Sequence, residues 1–305
     1  MGETGVTAGG RPECRVPDPV LVTGALGFVA SRLLPRLGAC GARAVALVRP
    51  GRDASRLEAL GLEVRRADLA GPVVPAEVFR GVGSVVHLAG LALVPAFLTA
   101  LVAAGVARGV FVSSAGVYTR LPSRGADAKR AAEALLAGST LDWTVLRPSM
   151  IYGRPGDRNL ERLLRWLARV PLVPLPGAGE VLQQPVHVDD LVAAILAALA
   201  RPEASRRAYD VGGPEALPLR GIVGAGAAVL GRRAIVLPLP VRPVHALARA
   251  SGRLGLRFPV RPEQILRLQE SKAVDIGPAC RDLGFAPRSF EDGIRAEAAL
   301  LGLTS

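Results

Sequence analysis

The chain of 305 residues is half hydrophobic and carries a formal net charge of +12, enough apolar material for one large or two modest cores. Aromatics make up 4%, too few for a base-stacking platform, and with no nucleic-acid motif present the sequence excludes nucleic acid as a partner. Cys14, Cys40 and Cys280 are far apart and odd in number, which excludes a disulfide framework or a cysteine-rich metal site, and no apolar run reaches the ~18 residues of a membrane span.

Residues 1–17 are rich in Gly and Pro and read as a flexible tail, not a signal peptide. Val20-Leu21-Val22-Thr23 reads as an apolar strand, Gly24-Ala25-Leu26-Gly27 as a tight turn, and residues 28–40 as a helix. A backbone turning at Gly24 and Gly27 leaves free N–H groups at a helix N-terminus, an anion site suited to a pyrophosphate. Ala30, the third small residue, still allows close helix–strand packing. The expected contacts of this turn are Thr23, Gly24, Leu26, Gly27 and Phe28. Residues 43–49 read as a second strand, 54–60 as a helix, 63–68 as a third strand and 75–80 as a helical crossover. Residues 84–89 read as a fully buried fourth strand, 95–104 as a helix and 109–114 as a fifth strand. Residues 126–137 form an Ala-rich helix, and 143–147 a sixth strand. This alternation with short connections predicts right-handed βαβ units in a doubly wound parallel α/β sheet of Rossmann type.

Beyond about Met150 the rhythm changes, with Pro155, Pro171, Pro174, Pro176 and Pro185 breaking it. The expected division is a dinucleotide-binding domain over 18–150 plus about 180–201. A smaller, interleaved α+β lobe takes about 151–179 and 202–305.

Arg49 falls just past the second strand, where an acidic residue would bind a ribose 2′-hydroxyl. With Arg52 close by, a 2′-phosphate is the more natural ligand, so NADP(H) is preferred and NAD(H) is the alternative. Asp68 with Leu69 closes the third strand and is placed to accept from an adenine amino group or to cap the following segment. Leu88-Ala89-Gly90 supplies small residues that let backbone approach a cofactor, and His87 reads as a strand residue with its hydrogen bonds satisfied. His187 beside Asp189 and Asp190 does not converge on a metal shell, and no metal site is expected. Asp189 or Asp190 is the expected cap of the next helix, and His245 is surface or packing.

Thr23-Gly24-x-x-Gly27-x-x-Ala30 is followed in order by His87-Leu88-Ala89-Gly90, Ser113-Ser114-Ala115-Gly116-Val117-Tyr118, Leu146-Arg147-Pro148-Ser149-Met150-Ile151-Tyr152-Gly153 and Pro185-Val186-His187-Val188-Asp189-Asp190-Leu191. This set resembles the extended, atypical side of the short-chain dehydrogenase/reductase superfamily. It is similar to NAD-dependent epimerase/dehydratases and to the nucleotide-binding accessory subunit of respiratory complex I. The resemblance implies a Ser, a Tyr and a Lys four residues after it as the catalytic set. Ser114 matches the Ser, and Lys129 falls on the helix where the Lys belongs. Lys129 and Lys272 are the only lysines beside 36 arginines, and a lysine presents a compact, tunable ammonium where arginine presents a planar fork. Gly125 stands where the Tyr should be, and Tyr118, 11 residues from Lys129, is the weak substitute. The resemblance also implies that Pro148 and Ile151 cover the nicotinamide.

Two functions follow. One is an oxidoreductase acting on a carbonyl or alcohol, a sugar-nucleotide or a lipid-like substrate. The alternative is an inactive NADP(H)-binding structural or sensor protein of a membrane complex. Arg232, Arg233, Arg242, Arg249, Arg253, Arg257, Arg261 and Arg267 against Glu263 form either a solvated basic face or a contact with an anionic membrane or acidic partner. The expected compartment is cytoplasmic, with the inner face of a membrane as the site of such contact.

Overall fold

The four residues of β1 (Val20–Thr23) are all buried, and they show how the sheet is built. Val20 and Val22 enter the apolar cluster on one face, and Leu21 enters the cluster on the other. That two-residue alternation on a strand buried throughout is what a sheet covered on both faces demands. The coordinates, a computed structural model, describe residues 16–71, 73–157, 159–253 and 262–304. The expected tail lies outside the described residues except for Val16 and Pro17, as do Cys14, Arg257 and Arg261.

After β1 come α1 (Ala30–Ala39), β2 (Ala44–Val48), α2 (Ser55–Glu58), β3 (Glu63–Arg66) and β4 (Ser84–His87). The crossover before β4 is a 3-10 turn, Ala76–Phe79, and not an α-helix. Then follow α3 (Val94–Ala103), β5 (Arg108–Val112), α4 (Arg124–Gly138) and β6 (Asp142–Pro148). The remaining strands are β7 (Ile151–Tyr152), β8 (Leu172–Pro176), β9 (Leu182–Gln183), β10 (Val186–His187), β11 (Arg207–Val211), β12 (Leu217–Pro218) and β13 (Ile235–Leu239). The remaining helices are α5 (Leu160–Leu167), α6 (Val188–Ala200), α7 (Leu219–Val229), α8 (Val241–Arg253), α9 (Pro262–Arg267), α10 (Gly277–Leu283) and α11 (Phe290–Leu300).

Seven strands form one parallel sheet in the order β11-β6-β5-β4-β1-β2-β3. This is the doubly wound Rossmann topology. The strand order reverses between β1 and β4, so a crevice opens beyond their carboxyl ends. On one face Leu33, Leu34 and Leu37 of α1 and Leu191, Val192 and Ile195 of α6 cover the sheet. On the other, Phe97 and Leu101 of α3 and Ala132 and Leu136 of α4 do so. Each of these leucine, valine, isoleucine and phenylalanine side chains contributes roughly 1.5–3 kcal/mol by leaving water.

Two segments placed by sequence in the smaller lobe belong with the large sheet. β11 pairs in register with β6 from Arg207 opposite Thr144 to Val211 opposite Pro148. Ala279 and Leu283 of α10 and Phe285 join the α6 side of the core. Tyr209 on β11 is buried there and donates its hydroxyl hydrogen to Asp282 at 2.9 Å, which fixes α10 over the strand. The rest of the smaller lobe has its own apolar cluster, with Leu160 and Leu164 of α5, Ile222 of α7 and Phe290 and Ile294 of α11.

Candidate functional site

The turn after β1 lies against the end of β4. Gly24 has φ +66°, and a Cβ there would stand 2.9 Å from the Ala89 nitrogen. The Gly27 N–H donates to the Gly24 carbonyl at 2.8 Å, and a Cβ on Gly27 would meet that same oxygen at 2.9 Å. No side chain fits at either position. Helix α1, which follows, has no side-chain cap and no acidic residue in its first turn. Its positive end is left for an anion. The helix begins at Ala30, two residues later than its sequence pattern suggests, because residues 24–29 form the turn.

Thr23 and His87 weld the two strand ends. His87 Nε2 faces the Gly90 carbonyl at 2.9 Å and therefore carries the hydrogen. Nδ1 is then the acceptor for the Thr23 hydroxyl at 2.8 Å. The Thr23 oxygen in turn accepts from the Leu88 and Ala89 N–H groups at 3.1 and 3.3 Å. Burial holds the His87 pKa down to about 4 against the opposing Gly90 hydrogen bond, so the ring is neutral and structural.

Two cavities open at the carboxyl edge of the sheet. The first, about 440 Å³, is lined by Thr23, Gly24, Leu26, Gly27, Arg49, Arg52, Asp68, Leu69, Leu88 and Ala89. Asp68 lies two residues past the end of β3, and its Oδ1 accepts the Ala70 N–H at 2.9 Å, holding the turn. Arg49 and Arg52 are exposed, and among the described residues neither has an ion-pair partner. Of the expected contacts, Phe28, Gly90 and Pro148 line neither cavity. The Gly90 carbonyl is taken by His87, and Pro148 is buried in β6 opposite Val211.

The second cavity, about 1010 Å³, is lined by Ser114, Tyr118, Gly125, Lys129, Ser149, Ile151, Glu270 and Lys272 among others. The Ser114 oxygen accepts the Gly116 N–H at 3.1 Å, which leaves its own hydrogen free to donate. Lys129 has no hydrogen-bond or ion-pair partner among the described residues. A Cβ on Gly125 would have no atom within 4 Å. Tyr118 is committed elsewhere: its hydroxyl donates to Asp210 at 2.9 Å and accepts from Arg147 at 2.9 Å. Burial and the Asp210 carboxylate push its pKa up. Arg147 is held in turn by Glu133 at 2.6 Å, and Glu133 accepts the Ser113 hydroxyl.

Residues 24–165 match the protein family described as NAD(P)H-binding. The chain carries an NAD(P)-binding domain. Its fold is that of the epimerase/dehydratase, short-chain dehydrogenase/reductase-like proteins. The chain is 30% identical over 173 residues to NADH dehydrogenase (ubiquinone) 1 alpha subcomplex subunit 9, mitochondrial, of Arabidopsis thaliana, covering 56% of this chain and 43% of that one. It is 30% identical over 197 residues to ceramide reductase of Caulobacter vibrioides, covering 60% and 61%. It therefore spans less than two thirds of the length of either relative. The structure of MoeE5 in complex with UDP-glucose and NAD superposes with a TM-score of 0.70 at 24% identity, covering 93% and 98% of the two chains. That likeness establishes the fold.

The residues of this NAD(P)-binding domain fit a dinucleotide. The turn at Gly24 and Gly27 admits only backbone, α1 has an uncapped N-terminus, and the cavities on either side of the switch point are lined by both ends of the motif set. Around the domain, Asp189 and Asp190 do not cap α6, as the sequence suggests. His187 Nδ1 accepts the Asp189 N–H at 3.2 Å and is the cap. Asp189 is taken by Arg32 of α1 at 2.7 Å, and Asp190 by Arg288 at 2.8 Å. Because α6 begins at Val188, both aspartates lie inside its first turn rather than at the cap position.

Lys272 is the site residue to which sequence reasoning gave no role. It follows α9, far in sequence from the Rossmann motifs, yet it shares the cavity of Ser114 and Lys129. Burial and the neighbouring Arg267 lower its pKa against the opposing Glu270. The available signal was its rarity: the chain's two lysines stand on one cavity.

Proposed function

We propose that the chain is an NAD(P)-dependent oxidoreductase of the epimerase/dehydratase type, acting on a carbonyl or alcohol held in the larger cavity. The observation that carries this is the meeting of Ser114, Lys129 and Lys272 on one cavity of about 1010 Å³, ample for a substrate beside a nicotinamide. The bound nicotinamide supplies or accepts the hydride. Ser114 donates its hydroxyl hydrogen to the substrate oxygen. Lys129, free of carboxylates, holds the nicotinamide ribose and places positive charge near that oxygen. With Gly125 in place of the phenol, Lys272 delivers the proton to the developing alkoxide. Its depressed pKa suits a general acid better than an ordinary solvated lysine. Tyr118, with both hydrogen-bonding directions of its hydroxyl used, stands outside the chemistry.

Arg49 and Arg52 support NADP(H) over NAD(H), since two guanidinium groups just past β2, without an ion-pair partner among the described residues, suit a 2′-phosphate. The relatives' names support either a lipid-like or a sugar-nucleotide substrate. Among the described residues no helix is long and apolar enough to cross a membrane.

A second reading has its own support. Gly125 faces open space where the acid belongs, and one relative is named as a subunit of NADH dehydrogenase. On that reading the chain holds a dinucleotide as a structural or sensor protein. The test is to purify the protein, identify its co-purifying nucleotide and follow the nucleotide's redox state against a panel of carbonyls and alcohols. Turnover lost in Lys129→Ala and Ser114→Ala supports the enzyme. A tightly held nucleotide inert to the whole panel supports the second reading.

A further inference from the structure

Strands β8 and β13 form a two-stranded parallel ribbon apart from the main sheet. Leu172 lies opposite Ile235, and Pro174 opposite Leu237. Val173 and Leu175 are buried against Leu167, Val223 and Ala227. By the two-residue period, Leu172 and Pro174 point away from that core, and so do their partners Ile235 and Leu237. An outward sheet face is ordinarily polar. Here all four residues are apolar, with Leu172 41%, Ile235 62% and Leu237 43% exposed. Trp166, 48% exposed, extends the patch from α5 and is tied to it by its indole N–H, which donates to the Leu172 carbonyl at 2.9 Å.

Arginines rim this face. Arg162 stands one helical turn before Trp166, Arg169 shortly before β8, and Arg232 and Arg233 just before β13. All four are exposed, and among the described residues none has an ion-pair partner. Single exposed apolar residues are ordinary, but a contiguous apolar face bordered by charge of one sign marks an interaction site.

We propose that the outward face of this ribbon docks the protein on an anionic phospholipid surface. Trp166, Leu172, Ile235 and Leu237 enter the headgroup boundary while the arginines meet lipid phosphates. Charge complementarity selects this occupant. A second copy of the chain would set the same unpaired arginines against each other, and like charges across an interface oppose association. A bilayer presents fixed negative charge and accepts a shallow apolar face of any outline. This surface is independent of the dinucleotide cavities, so the proposal stands or falls apart from the enzymatic reading.

The test uses the whole chain with vesicles of phosphatidylcholine alone and of phosphatidylcholine mixed with phosphatidylglycerol, read by co-sedimentation and tryptophan emission. The expected result is binding to the anionic vesicles only, with a blue shift of the emission. The shift disappears in Trp166→Phe, which still binds and leaves Trp143 as the only tryptophan. The doubly substituted Ile235→Glu, Leu237→Glu chain loses binding. Arg232→Ala and Arg233→Ala each weaken it about fivefold. All these positions are exposed, and an unchanged melting temperature confirms that the variants fold. Equal binding to both vesicle types, no binding, or a dimer that Ile235→Glu dissociates would each overturn the proposal.

Discussion

Lys129 on α4 and Lys272 after α9 line the same cavity, one contributed by the dinucleotide-binding domain and the other from the C-terminal part of the chain. In a chain with 36 arginines, the two ammonium groups stand where a planar, permanently charged fork would lose both compactness and tunability. The proposed division of labour gives them different signatures. Lys129→Ala weakens nucleotide binding and turnover together. Lys272→Met leaves nucleotide affinity intact and lowers turnover about 10²-fold or more. Lys272→Arg does not rescue it, because arginine cannot release its proton near neutral pH.

The pH profile carries the same distinction. Lys272 must be protonated to act as the acid in carbonyl reduction, so the rate is flat below its pKa and falls above it. Its pKa lies below the usual lysine value of 10.5, so the alkaline fall begins earlier than for a solvated lysine. That limb is absent from the residual activity of Lys272→Met. A profile that is the same in both proteins would remove Lys272 from the chemistry.

Gly125 offers a gain-of-function experiment. A Cβ there meets nothing within 4 Å, and the residue lies one helical turn before Lys129 in α4. Gly125→Tyr therefore restores the phenol without a steric conflict at the backbone. In the Lys272→Met background, where the acid is missing, Gly125→Tyr should raise turnover by roughly 10²–10⁴-fold, the usual contribution of a positioned acid–base group. Single-turnover oxidation of bound reduced nucleotide measures it directly.

Arg49→Ala tests the cofactor preference. Loss of a charge-assisted contact to a 2′-phosphate costs roughly 1.5–3 kcal/mol, so NADPH affinity should fall about tenfold to a hundredfold while NADH affinity barely changes. Equal losses would assign Arg49 to the general basic surface.

Asp157, in the segment after β7, and Glu297, on α11, are buried carboxyl groups that each shift the other's titration. The Asp157 Oδ1 is occupied by the N–H groups that begin α5, and the Glu297 Oε2 accepts the Gly153 N–H at 3.1 Å. Asp157 Oδ2 and Glu297 Oε1 are buried without a hydrogen-bond partner, and one proton shared between the carboxyl groups would satisfy both. Burial, and then the Asp157 charge, push the Glu297 pKa up to about 8. The folded chain thus keeps a proton that the unfolded chain releases near the usual glutamate value of 4.5. Stability from this pair is full below that value. It declines by at most about 1.4 kcal/mol per pH unit as the pH rises, and levels off above about 8. Glu297→Gln, which donates without titrating, should melt close to the native chain in mild acid and above it in mild base. A difference independent of pH would rule out the shared proton.

The fold was legible where local pattern and tertiary demand coincide. β1, β2 and β4 are buried along their whole length because both faces are covered, and the Gly24–Gly27 turn is written in residues that no side chain can replace. β11 was not legible. Its sequence, Arg207-Ala208-Tyr209-Asp210-Val211, alternates polar and apolar residues as an edge strand does, and it begins just past about 201, where the dinucleotide-binding domain was expected to end. The α6 cap was misread for a physical reason: Asp189 and Asp190 are good caps in isolation, but the helix starts at Val188, which puts both inside its first turn, where Arg32 and Arg288, 157 and 98 residues away, hold them. The same distance hid Lys272, whose place depends on how the C-terminal segment folds back over α4.

The most direct test follows the nucleotide itself. The purified chain, loaded with reduced nicotinamide dinucleotide, is mixed with carbonyl substrates of the sugar-nucleotide and lipid-like classes, beside Lys129→Ala and Gly125→Tyr. The account predicts nucleotide oxidation coupled to alcohol formation, abolished in the first variant and accelerated in the second. A nucleotide that stays bound and reduced in the native chain, and equally in Gly125→Tyr, would contradict it.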